Sequence, residues 1–435
     1  MTETTDNKIS YLGAVSIGIG GMVGGGIFAV LGLAAQLGGG GTPVAFAIAG
    51  FVALLSAYSY AKLSVAYPSR GGTVAFLNRA YGSGLFAGSM NVLLWLSYIV
   101  MLSLYSYAFG SYGATFLPEA LQPVGKHVLL SLAILGITAL NALSANIISR
   151  AESYVVAVKL AILLFFVAVG LFGVDAQRIA PATWESPVRL VAGGMIIFLA
   201  YEGFELIANT AQDIRNPSRT LPRAFYSAVG FVIVLYVLVA LVAVGNLPVD
   251  QIVAAKDYAL AAAARPFLGG FGFVLIAVAA MLSTASAINA TLYGAARFSY
   301  IIAEDGELPA ALEREVWSRP LIGLFITAGA TLVAANLFDV SNISTMGSSG
   351  FLIIFGAVNG ANVRLATSTG SRRWISAAGV AACGLALLAL LWQTVVSSPG
   401  RLLVLVLLVG LAFGIEYGYR KLSRRRGIRV TDDGR

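Results

Sequence analysis

The sequence is nearly without the side chains that bind metals or form covalent links. Cys383 and His127 are the one cysteine and the one histidine in 435 residues. A lone cysteine excludes an internal disulfide framework and a cysteine-built metal site. His127 is read as falling in an external loop, which argues against haem or histidine-ligated metal chemistry deeper in the fold. Charge is scarce as well: 11% of residues are Asp, Glu, Lys or Arg, whereas 58% are hydrophobic. Soluble domains carry about 25% charged residues, so this composition is not theirs. No metal-ligand spacing, Ser/His/Asp arrangement or long basic-aromatic stretch occurs, so cofactor chemistry, hydrolysis and nucleic-acid binding have no carrier.

Apolar length takes the place of all this. Runs suited to the ~20 helical residues that a ~30 Å hydrocarbon core requires recur along the whole chain. Twelve spans are read at 11–35, 43–67, 85–116, 124–146, 151–172, 188–211, 224–244, 269–300, 320–338, 342–366, 374–396 and 401–419. An all-α integral membrane protein embedded in the lipid bilayer follows, with almost nothing outside it. The opening MTETTDNKIS is polar and acidic and lacks the basic region and cleavage site of a signal peptide, so the first span is expected to be retained. If residues 1–10 are cytoplasmic, only Lys126, Arg178, Arg189, Lys256, Arg265 and Arg401 face outward, and Lys159 lies within the membrane. All other Lys and Arg collect inside, including those of the basic tail 420–435. Both termini are therefore expected in the cytoplasm of a cell membrane protein, and the net charge of +8 is positive-inside bias rather than a nucleic-acid surface.

Two spans are anomalous. The first contains GGMVGGGIF at 20–28, glycine-rich where the backbone has no water to fall back on. Unwound backbone at membrane depth is tolerated only beside protein or a water-filled cavity, so the run predicts a helix break at a cavity. Close helix packing through small residues is the competing reading. A dinucleotide fingerprint is excluded, because no strand precedes the glycines. Span 6 places Glu202 and Glu205 on either side of Gly203. A carboxylate at membrane depth costs on the order of 2.5 kcal/mol or more and usually faces an interior site. Spans 1 and 6 lie five helices apart, which predicts an inverted repeat of 11–172 and 188–366, followed by 374–419; paired helix breaks in such repeats mark a transporter's binding site.

Half-helix N-termini present amide groups and a positive dipole end to a carboxylate, and half-helix C-termini present carbonyls to an ammonium, so an α-amino acid suits such a pair of breaks. Lys159 is also buried on this reading. It lies about 13 Å along a helix from Arg150, too deep for easy snorkelling unless the helix register differs.

Four segments carry a resemblance: G-x-x-x-GGGIF at 20–28, YSYAKLSVAYPSRGGTVAFLNRAYG at 58–82, FLAYEGFELIANTAQDIRNPSRTLPRA at 198–224, and NATLYGAARFSYIIAEDGELPAAL at 289–312. In this order they resemble the amino acid–polyamine–organocation (APC) superfamily, and within it the ApcT-like and cationic amino acid transporter-like permeases. Departures are GGGIF in place of GAGIF or GSGIF, Ala296 before Arg297 where Ser is usual, and Ala211–Gln212–Asp213 in place of Ala-Glu-Glu.

The resemblance implies a LeuT-type fold of twelve transmembrane helices, with a 5+5 inverted repeat, discontinuous helices 1 and 6, and two C-terminal helices. It implies that the amides of Gly24, Gly25 and Gly26 hold an amino acid's carboxylate and that the Met22 carbonyl takes its amine. Leu199, Ala200 and Glu202 complete the site from span 6, the last two through backbone carbonyls, with Tyr105 from span 3 and Asn289 from span 8. The Glu202 side chain either attracts a cationic substrate or turns away and braces the break, and bracing is the preferred reading. Glu205 and Gly203 take structural or gating roles. Lys159 occupies the place where sodium-coupled relatives bind their ion, with the carbonyls of Gly20 and Val23 and the hydroxyls of Ser283 and Ser286 as its partners. Burial favours a neutral amine and carbonyl contacts favour an ammonium, so a site whose balance changes between outward and inward states can load and release a proton. The expected function is proton-coupled amino acid symport by alternating access. The alternative is an amino acid or polyamine exchanger in which Lys159 is a permanent structural cation. No catalytic residue, metal, cofactor or obligate protein partner is implied. Gly25→Leu is expected to block the carboxylate's approach and abolish amino acid affinity; a folded variant with normal affinity in a binding titration would remove Gly25 from the site.

Overall fold

The computed structural model describes residues 8–143, 146–304 and 321–422, with the backbone alone for 146–153, 304 and 422. The sequence IIAEDGELP at 301–309 reads as a helix-ending turn at Asp305–Gly306; that turn and the basic tail beyond residue 422 lie outside these residues. The described chain is helical, apart from two isolated backbone bridges. Its helices are α1 (Tyr11–Met22), α2 (Gly26–Gly38), α3 (Thr42–Ala66), α4 (Thr73–Tyr81), α5 (Leu85–Ala114), α6 (Gln122–Leu143), α7 (Asn146–Gly170), α8 (Pro187–Ile196), α9 (Pro217–Asn246), α10 (Val249–Ala255), α11 (Ala259–Glu304), α12 (Leu321–Leu337), α13 (Val340–Arg364), α14 (Ala366–Thr369), α15 (Arg373–Ser397) and α16 (Gly400–Leu422). A sixteen-residue 3₁₀ helix, Phe198–Asp213, continues from α8.

Among the described residues, nine helical stretches are long and apolar enough to cross a membrane, and two bent pairs pass the same test. The pairs are α1 with α2, bent by 49°, and α8 with the 3₁₀ helix, bent by 44°. Helix α12 is apolar and shorter. The bundle is layered: 89% of the apolar stretch of α5 is buried, against 17% for α6 and 22% for α16, so α5 runs through the middle and the other two cover it.

Both bent pairs are tied at their ends. The Ile9 amide donates to the Asp213 carbonyl at 2.8 Å, and the Arg215 amide donates to Ile9 at 3.0 Å. At the far end a bridge joins Gly39 to Trp184. Between these ties the pairs cross on glycine. A Cβ on Gly203 would collide with the backbone of Gly21 and Met22; one on Gly21 would lie 2.7 Å from the Gly203 carbonyl oxygen, and one on Gly26 2.8 Å from Ala200 Cα. The small-residue packing reading of the glycines and the helix-break reading thus both describe this crossing.

Two sequence expectations need correction. His127 lies in the first turns of α6, where its Nδ1 meets Asn336 Oδ1 of α12 at 2.9 Å, because α6 starts before it rather than after a loop. Span 7 is expected only from 224, with Pro217 and Pro222 stopping span 6 and delaying it, but α9 starts at Pro217. Proline suits the first helical position because its missing N–H has no partner there in any case. The left-handed Asn216, at φ 50°, supplies the turn.

Gly203→Ala is expected to force the crossing apart, at an overpacking cost of about 1–3 kcal/mol. Gly230→Ala, where an added methyl meets nothing within 4 Å, is expected to leave stability unchanged or slightly raised. Thermal unfolding of the two purified variants in detergent checks both; equal transitions would contradict the crossing.

Candidate functional site

Each helix break leaves backbone groups without helical partners. Their replacements are side chains from four other helices. At the first break the Ser283 hydroxyl of α11 donates to the carbonyls of Val23 and Gly24, and the Tyr236 hydroxyl of α9 approaches those of Met22 (2.7 Å) and Ala200 (3.4 Å). Lys159 of α7, 1% exposed, donates through Nζ to the Gly20 carbonyl at 3.2 Å. At the second break Ser348 of α13 does both jobs, accepting from the Leu199 amide at 3.2 Å and donating to the Ile196 carbonyl at 3.0 Å. Ser283 thus serves the Val23 and Gly24 carbonyls, while Lys159 meets that of Gly20.

Beside the breaks is a cavity of about 790 Å3, lined by α1, α7, α11 and the 3₁₀ helix. Gly20, Gly21, Glu202, Ser286 and Ala287 form its inner end, and Ile9, Arg70, Asn209 and Arg297 line it toward the N-terminal end of the bundle. Tyr293, also in the lining, is 54% exposed. The opposite end is packed shut. Tyr112 donates to the Phe28 carbonyl at 3.0 Å with its ring edge-on to Phe28, and Gly32 of α2 rests directly on the backbone of Lys256 just beyond α10.

The predicted residues divide. Gly20, Glu202 and Ser286 reach the cavity. Gly24, Gly25 and Gly26 do not: Gly25 lies under the Tyr105 ring and 2.9 Å (from its would-be Cβ) from Thr284 Cγ2, and Gly26 lies against Ala200. A side chain at Gly25 thus strikes Tyr105 before it meets any ligand. Asn289 is a correction. Its Oδ1 accepts from Asn141 of α6 at 2.7 Å, so the side chain serves the α6–α11 interface and not the breaks.

Glu202 is a second correction. It does not brace the break: Oε1 receives a long 3.5 Å contact from Tyr105, and Oε2 has no hydrogen-bond partner among the described residues. Bracing falls to Glu205, which accepts from Tyr60 (3.1 Å), Thr73 (3.1 Å) and, through a short bond, Tyr98. That carboxylate locks α3, α4 and α5 to the 3₁₀ helix in a structural arrangement.

Sequence reasoning missed Tyr236, Ser348, Tyr98, Tyr60 and Thr73. Tyr60 and Thr73 lie within the quoted 58–82 segment, and a hydroxyl inside an apolar run was the one signal for the others. Among the described residues no group of three or more His, Cys, Asp or Glu side chains is placed to hold a metal ion.

The sequence model of the family described as amino acid permease matches residues 9–413. An uncharacterized protein of Methanocaldococcus jannaschii is 35% identical over 97% of this chain and 98% of its own length. The inner membrane transport protein YbaT of Escherichia coli is 36% identical over 81% of this chain and 82% of its own. The branched-chain amino acid permease BcaP of Bacillus subtilis is 27% identical over 68% and 67%.

Ser348→Ala is expected to leave the Leu199 amide and Ile196 carbonyl unpaired in a buried place, at about 1–3 kcal/mol. A lowered unfolding temperature for Ser348→Ala, with little change for Ser371→Ala at a half-buried turn, is the outcome that supports this account; no difference would contradict it.

Proposed function

This chain belongs to the amino acid permease family, of APC type, and is a multi-pass membrane permease rather than an enzyme; from that premise we propose that it imports amino acids by proton-coupled symport through alternating access. The observation that carries the coupling is the buried Lys159 ammonium on the Gly20 carbonyl, at the broken end of α1. An ion site in a coupled carrier must change its environment as the carrier changes state. Helix α1 forms one wall of the cavity, so a tilt of α1 separates the Gly20 carbonyl from Lys159 and alters the balance between charged and neutral amine. The Lys159 amine, charged while it holds a proton, takes the place that a sodium ion would need.

The twelve-helix LeuT-type arrangement belongs to this reading, with α12 counted as a span and each bent pair as one. So do the repeats 11–172 and 188–366, and cytoplasmic termini in a cell membrane. The cavity lined by Arg70 and Arg297 then faces the cytoplasm, and the Phe28–Tyr112 contact closes the outer path, so this is an inward-facing state. In it Gly24 and Gly25 lie against Tyr105 and Gly26 against Ala200. Movement of α1 and α2 against Tyr105 opens their amides to a substrate carboxylate, and the broken ends of α1 and α8 supply carbonyls. The substrate is an amino acid, the coupling ion a proton, and no further protein is required.

Uptake of labelled amino acids into proteoliposomes, under an inward proton gradient, an inward sodium gradient or neither, tests the proposal. Wild type is expected to concentrate substrate only with the proton gradient, and Lys159→Ala to lose concentrative uptake at least tenfold. Uptake that requires preloaded internal substrate, unaffected by either gradient, would make the protein an exchanger with Lys159 as a structural cation.

A further inference from the structure

The inner end of the cavity holds a carboxylate with too few partners. Glu202 is 4% exposed and is the one acidic side chain among the described residues lining the cavity. Tyr105 alone approaches it, at 3.5 Å from Oε1, and Oε2 has no hydrogen-bond partner among the described residues. Glu205, three residues on, has three hydroxyl donors. The contrast matters because a buried carboxylate is costly unless it is paired, and a chain able to surround one glutamate with hydroxyls leaves its neighbour, at the cavity lining, with one buried oxygen unpaired.

Several carbonyls at this end already face a donor from the protein itself. The carbonyls of Met22 and Ala200 face the Tyr236 hydroxyl, those of Val23 and Gly24 the Ser283 hydroxyl, and that of Gly20 the Lys159 amine. The cationic lining residues Arg70 and Arg297 lie toward the opposite, N-terminal end, where Arg70 is 59% exposed and pairs with Asp213 at 3.7 Å.

We infer that Glu202 receives a primary ammonium group of the substrate directly through its side-chain carboxylate. A charge-assisted hydrogen bond to Oε2 gives the buried oxygen its partner and fixes the amine end of the ligand in the cavity. This rests on the amino acid transport proposed above and names the group that recognises the amine. The ammonium is either the α-amino group, common to all amino acids, or a side-chain amine, found in the basic ones; the chemistry at Glu202 is the same.

The test is calorimetric titration of the full-length protein in nanodiscs with the proteinogenic amino acids, for wild type and Glu202→Gln, followed by the N-acetylated form of the tightest ligand. The expected result is binding to wild type, at least tenfold weaker binding to Glu202→Gln, and none of the fully N-acetylated ligand. Weakening across neutral and basic amino acids alike assigns the α-ammonium, and weakening confined to the basic ones assigns the side-chain amine; either supports the inference. Unchanged affinity of Glu202→Gln overturns it and leaves the transport proposal standing. No binding of any amino acid by folded wild type overturns both. If Glu202→Gln does not fold, the wild-type comparison decides, since an N-acetylated ligand that binds as tightly as its parent overturns the inference without the variant.

Discussion

The contact between the backbones of Gly21 and Gly203 constrains everything built around it. Each of the two crossing pairs also bends by more than 40°, one between Met22 and Gly26 and the other at Ile197, and gives up helical hydrogen bonds at its bend. In hydrocarbon each abandoned N–H or C=O costs several kcal/mol unless something replaces it. The hydroxyls of Ser283, Ser348 and Tyr236 and the amine of Lys159 are those replacements, and they come from α11, α13, α9 and α7. The crossing therefore fixes which faces of four further helices must turn inward.

The same constraint explains why this centre is polar and still stable. Glycine allows the approach, and each of the crossing pairs is broken. Once broken, a helix is held by groups that belong to other elements, and any shift of α1 relative to α7 or α11 exchanges one set of partners for another. A continuous helix carries its bonds within itself and has no such dependence on its neighbours. The long 3₁₀ helix fits this picture, because its tighter, less well-aligned bonds are uncommon over such a length and mark a segment under strain or motion.

Span positions were legible because apolar length and glycine interruption are local properties. The first break falls where glycine interrupts an apolar run, whereas the second falls at Ile197, within apolar sequence and five residues before Glu202. The side-chain facing was not legible to the same degree. Ser286 faces the cavity while Asn289 meets α6, although three residues on a helix differ by only about 60° from a full turn. That angle is smaller than the uncertainty of placing a side chain from spacing alone, so alignment to a motif cannot tell a cavity wall from a helix interface. Tyr236 and Ser348 escaped for a related reason: they lie far along the chain from the carbonyls they serve, in runs with no motif of their own. The start of α9 was misjudged because proline was read as an interruption, whereas at the first helical position it begins the helix.

The glutamate pair shows how far local sequence can mislead and where geometry decides. Glu202 and Glu205 lie three residues apart on one helix, and nothing in their spacing distinguishes them. Their surroundings do. Glu205 points into the packed junction of α3, α4 and α5, where three hydroxyls converge on it, and it ties the 3₁₀ helix to the bundle. Glu202 lies at the cavity lining, and its Oε2 has no hydrogen-bond partner among the described residues. Had the hydroxyls converged on both, the pair would be a structural clasp and the cavity would be lined by apolar and neutral groups at its inner end. Because they converge on one only, the two carboxylates differ: Glu205 holds the helix in place, and Glu202 is left at the cavity lining with an oxygen that no described residue pairs.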